Sequence, residues 1–120
     1  MSGTAPASFT TQIEYVDGIP VVVMAGRLEA SNVNVFDGQI APLLTQPHPR
    51  ILIDMQALTF VASMGLRSIL KLIKHAAASG GRAGAFAVPP MVLEVLEMTA
   101  FTKLMDVYPD RESALNAKGS

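Results

Sequence analysis

Residues 50–79 read RILIDMQALTFVASMGLRSILKLIKHAAAS, and this stretch decides the fold. An apolar run, Ile51-Leu52-Ile53, stops at Asp54 and reads as a buried strand. A loop follows, carrying a second apolar pair at Phe60-Val61. Beyond Ser63, residues Leu66, Ile69, Leu70, Leu72, Ile73, Ala76 and Ala77 make one side of a helical pattern. Arg67, Ser68, Lys71, Lys74, His75 and Ala78 make the other, so the predicted helix is amphipathic with a basic outer stripe. Ser63 stands where that helix begins. A serine there can accept a hydrogen bond from one of the unpaired N–H groups of the first turn. The same N–H groups and the helix dipole favour an added anion such as phosphate.

Upstream, Phe9 to Tyr15 reads as a strand with Phe9, Thr11, Ile13 and Tyr15 on one face. Asp17-Gly18 is a turn signal. Val21 to Ala25 is a continuous apolar run, expected to be buried on both faces, and closes a hairpin. Gly26-Arg27-Leu28-Glu29 reads as a loop leaving that strand. Ser31 or Asn32 is placed to cap a helix carrying Val33, Phe36, Ile40, Leu43 and Leu44. Pro42 weakens its end. His48, between two prolines, reads as an exposed loop residue.

Downstream, Gly80-Gly81 ends the long helix. Ala83 to Val88 is a strand, and Pro89-Pro90 opens a helix through Val92, Leu93, Val95 and Leu96. Lys103 to Tyr108 is extended. Asp110 caps a last helix docked by Ala114-Leu115. Strand–helix–strand alternation after a hairpin demands an α/β fold: a mixed sheet of four or five strands with about four helices packed on it. Residues 9–117 are expected to form a single domain, with 1–8 as a flexible N-terminal tail and 118–120 as a C-terminal tail.

Composition excludes several functions. Half of the 120 residues are hydrophobic and 16% are charged, so the chain folds. The formal net charge of -1 supplies no field for nucleic acid. There are no cysteines, hence no disulfide or thiolate site, consistent with a cytoplasmic location. No apolar run is long enough to insert in a membrane. No Ser–His–acid order, histidine pair at ligand spacing or phosphate-cradling loop is found, so no catalytic residue, metal or cofactor is expected. Gly80-Gly81-Arg82-Ala83-Gly84 follows a helix and enters a strand, the reverse of the order a phosphate loop needs. Asp54 is expected to hydrogen-bond nearby amides.

The run Phe60-Val61-Ala62-Ser63-Met64-Gly65-Leu66, set between a strand and a helix, resembles the signature of STAS domains. More narrowly it is similar to the bacterial anti-sigma factor antagonists, whose pattern is aromatic, aliphatic, Asp, Ser, Ser or Thr, Gly, Leu. Ser63, Gly65 and Leu66 match. Ala62 stands for the Asp and Met64 for the small hydroxyl residue. Glu29 stands for the acid of a Gly-x-Leu-acid motif, and Ala100 for a glycine after the third helix. The resemblance implies the STAS fold and a partner-binding surface at Glu29, Ala62, Ser63, Met64, Gly65, Leu66 and Arg67. It implies an anti-sigma factor with serine kinase activity on a histidine-kinase-like ATPase fold as partner, phosphorylation at Ser63 as the off-switch, and a PP2C-type phosphatase as reset. A second reading makes the same surface, with Leu58 and Phe60 beside it, a permanent interface in a larger assembly such as a lipid-transport complex or a signalling scaffold. The hairpin edge could pair two copies into a homodimer.

Overall fold

A computed structural model describes residues 9–117; the tails read at 1–8 and 118–120 lie outside the described residues. Five strands form one sheet in the order β1-β2-β3-β4-β5: β1 Phe9–Val16, β2 Ile19–Leu28, β3 Arg50–Val61, β4 Arg82–Phe86 and β5 Asp106–Tyr108. Only β1 runs antiparallel to its neighbour; β2 to β5 are parallel. Among the described residues α1 Val33–Ile40, α2 Ser63–Ala78 and α3 Pro90–Met98 lie between the parallel strands, and α4 Arg111–Asn116 follows β5. The mixed sheet, its hairpin and its crossover helices match the fold expected from sequence.

The sheet is covered unequally. On one face Phe36 and Ile40 of α1, Ile69, Leu72 and Ile73 of α2, and Val92 and Leu96 of α3 bury Val22, Met24, Ile51, Ile53 and Met55. On the other, α4 alone seals Val21, Leu52 and Phe86 through Ala114. This explains the unbroken apolar runs of β2 and β3. Each strand feeds both layers.

Five local readings are corrected. The strand at Ile51 does not stop at Asp54 but runs on to Val61. Its partner β2 also extends through Gly26–Leu28, although these residues read from sequence as a loop. Register shifts near Met24 and between Gly26 and Arg27 carry the pair through. Gly26, at φ +95, takes a conformation that suits such a bulge. Past Asp54 the strand loses its neighbour on one side, so Gln56, Ala57 and Thr59 are exposed and the apolar run breaks.

Asn32 stands at the cap position of α1 without capping it. Its side chain instead accepts from the Glu29 N–H and donates to the Arg27 carbonyl, both at 2.9 Å, and so staples the β2–α1 loop. In α2, Ser68 is buried and Ala77 exposed, the reverse of their assignment, because the helix buries a stripe centred on Ile69, Leu72 and Ala76. His48 is half-buried: its N–H donates to Ser79 Oγ at 3.0 Å, and its ring lies 6.3 Å from that of His75.

Candidate functional site

The junction of β3 and α2 is held from below by Gly65. A Cβ built there would lie 2.7 Å from Leu28 Cγ and 3.0 Å from Val61 Cγ2. The absent side chain lets the first turn of α2 sit directly on the end of β2. Ala62 completes the joint: its N–H donates to the Leu28 carbonyl at 2.9 Å, and its own carbonyl accepts from Leu66 N–H at 3.0 Å.

Ala62, at φ -85 and ψ 170, is the N-cap residue, and Ser63 is the first residue inside the helix. Ser63 was expected to cap α2; the geometry places it one position too late. The cap methyl cannot accept a hydrogen bond, and no acidic residue lies in the first turn. Neither a side-chain cap nor a first-turn acid therefore compensates the positive end of the α2 dipole, and the exposed Ser63 stands beside it.

Around the turn, Met64 is 47% and Phe60 39% exposed. Arg67 is exposed one turn along. The Arg27 guanidinium stacks 4.2 Å above the Phe60 ring and lies 3.5 Å from Glu29 Oε1. Of the residues expected at the surface, Ser63, Met64 and Arg67 are exposed and Glu29 is half-buried, one residue beyond Leu28, whose carbonyl takes the Ala62 N–H. Ala62 and Leu66 are half-buried, and Gly65 is buried. Leu58, read as part of the alternative interface, is fully buried. Arg27 was not singled out from sequence. Its register opposite Phe60 depends on the extended β2–β3 pairing that the sequence reading missed.

Asp54 accepts from Gln56 N–H at 3.0 Å as expected, and it also meets Arg111 Nη2 at 3.3 Å. Arg111 reaches Glu14 as well, at 3.0 Å, and so clamps α4 across β1 and β3. Among the described residues no group of three or more His, Asp and Glu side chains could hold a metal. No helix among them is long and apolar enough to cross a membrane.

The sequence profile of the STAS domain matches residues 10–114. The chain belongs to the STAS domain family. A crystal structure of an anti-sigma factor antagonist from Mycobacterium paratuberculosis superposes with a TM-score of 0.82 at 26% identity, covering 93% of this chain and 95% of that one. BtrV of Bordetella bronchiseptica, provisionally named an anti-sigma factor antagonist, is 25% identical over 105 residues, 88% of this chain and 90% of its own length. The Bacillus cell fate determinant SpoIIAA, solved in its phosphorylated form, shares the fold with a TM-score of 0.71 at 21% identity, covering 89% of this chain and 97% of that one. This STAS chain thus has relatives that carry the antagonist name along nearly their full length.

Proposed function

We propose that this STAS domain is an anti-sigma factor antagonist whose docking surface is the patch of Arg27, Glu29, Phe60, Ser63, Met64 and Arg67. It binds an anti-sigma factor that is also a serine kinase, and so releases a sigma factor. The observation that carries the reading is the Ser63 hydroxyl, exposed at the first helical position while the cap position belongs to Ala62. The relatives named anti-sigma factor antagonists support the general role.

The switch follows from charge. The kinase transfers the γ-phosphoryl group of ATP to Ser63 Oγ: the new O–P bond forms, the bond to the ADP oxygen breaks, and the hydroxyl proton leaves to solvent or a base of the kinase. The modified side chain carries close to two negative charges. In the free protein, the unpaired N–H groups of α2 stabilise them. In the complex they must be buried among Phe60 and Met64, so association weakens. A PP2C-type phosphatase restores the hydroxyl.

The test is intact-mass spectrometry after incubation with ATP and the candidate anti-sigma kinase, repeated on Ser63→Ala. One added phosphate that the variant lacks supports the switch. No phosphate from a pair that still co-elutes ends the switch and leaves the docking. Met64 and Phe60 favour a second reading in that event, a permanent apolar interface within a larger assembly. Recovery of such an assembly with Ser63 unmodified would replace the first reading.

A further inference from the structure

β3 outruns its neighbour. It pairs with β4 only from Arg50 to Asp54, whereas on its other side it stays beside β2 as far as Val61. β4 ends at Phe86, and Ala87 turns the chain away at φ +55 with its N–H donated to the Tyr108 carbonyl at 3.2 Å. The segment Met55–Val61 therefore has a strand on one side and none on the other among the described residues. Backbone groups of a strand point alternately to its two sides; the Gln56 N–H is taken by Asp54 Oδ1 at 3.0 Å, and beyond it part of this segment's N–H and C=O groups face an open notch. At about 3.3 Å per residue the notch is roughly 20 Å long.

An apolar cavity of about 160 Å³ opens at the far end of the notch, between Phe60 and Val61 of β3 and Met91, Val92 and Val95 of α3. Met91 is 76% exposed. The cavity has one charged wall residue, Glu94. Glu97 follows on the same helix, which has no basic residue, and neither glutamate has an ion-pair partner among the described residues.

We propose that the free edge of β3 between Met55 and Val61 receives an extended segment of a partner protein as an added strand, which places an apolar side chain in the Phe60–Met91 cavity and a lysine or arginine against Glu94. An unpaired strand edge fixes the backbone of its occupant, and a pocket beside it fixes one side chain; this is strand addition. The uncompensated charge of Glu94 and Glu97 sets the sign of the ligand. The site does not depend on modification of Ser63.

The test uses the full chain and a synthetic heptapeptide of alternating valine and lysine, blocked at both ends, followed by NMR of backbone amides and methionine ε-methyl groups. Saturable shifts at the Ala57–Phe60 amides and the Met91 methyl are expected. An analogue N-methylated at alternate backbone nitrogens should lose them. A valine–glutamate analogue should bind about fivefold more weakly, the fold-change of one exposed ion pair. Glu94→Lys, an exposed substitution whose fold is checked by circular dichroism, should reverse that preference. Equal binding of the N-methylated peptide would overturn the proposal. So would shifts centred on Met64 and Arg67, concentration-dependent shifts at the β3 edge without peptide (a second copy covering it), or no shifts.

Discussion

Ala100 lies just after α3 in the left-handed region, at φ 63 and ψ 18. Its N–H donates to the Glu97 carbonyl and its carbonyl accepts from Lys103 N–H, each at 3.1 Å, so the conformation is tied from both sides. Its methyl is exposed and packs on nothing that glycine would forfeit. An L-residue pays about 1–2 kcal/mol in this region through Cβ contact with its own carbonyl. Glycine loses roughly 0.5–1 kcal/mol more backbone entropy on folding. Ala100→Gly should therefore stabilise the domain by about 0.5–1 kcal/mol, raising Tm by roughly 2–4 °C for a chain of this size. Urea denaturation measures it, with an unchanged slope required. Ala77→Gly, on the exposed side of α2, is the control and should lose up to about 1 kcal/mol. If Ala100→Gly falls with the control, the residue is not left-handed and the reasoning fails.

Ser63→Ala should leave the urea midpoint within about 0.5 kcal/mol, because the hydroxyl caps nothing; a loss near 1 kcal/mol would restore the serine as a cap. Gly81→Ala should cost roughly 2–4 kcal/mol, since a Cβ would overlap the Pro49 carbonyl oxygen, whose backbone is fixed by a 2.9 Å bond from Arg82 N–H; a loss well under 1 kcal/mol would mean that this loop gives way. Asp110 accepts the Ser113 N–H at 2.8 Å, and that bond holds its carboxyl below the usual range. The folded value being lowered, its contribution is complete above the ordinary aspartate range and is lost as the pH falls through the lowered value. Asp110→Asn keeps an acceptor but cannot titrate, so its urea midpoint should fall less between about pH 5 and pH 2 than that of the parent; equal slopes would contradict the assignment.

The fold was legible where burial is two-sided. Val21-Val22 and Ile51-Leu52-Ile53 announce themselves as strands because each residue meets a covered layer. The far half of β3 was not, because its pattern is that of an edge: Gln56, Ala57 and Thr59 face solvent, and only Leu58 and Val61 return to the core. The same cause hid Arg27, whose stacking on Phe60 follows from a pairing register that period alone cannot give. Asn32 and Ser63 fail as caps for different reasons. Asn32 holds the cap position, but its side chain turns back to the Glu29 N–H and the Arg27 carbonyl. Ser63 stands one residue inside its helix, and that shift of one residue turns a cap into a free hydroxyl.

That one-residue shift also changes what Ala62 means. An aspartate at this position, as in the pattern the chain resembles, would occupy the N-cap of α2 and accept from its first-turn N–H groups. Ala62 leaves those groups open. Two consequences oppose each other. Ala62→Asp should stabilise the domain by about 0.5–2 kcal/mol by supplying the missing cap. It should also place a carboxylate beside the phosphate acceptor and withdraw N–H donors from it, so a phosphate on Ser63 would be held less well. The phosphate of the modified parent should accordingly titrate at a lower pH than that of modified Ala62→Asp, read by phosphorus NMR. If the two titrate alike, the first-turn N–H groups do not hold the anion, and the charge on Ser63 acts on the partner alone.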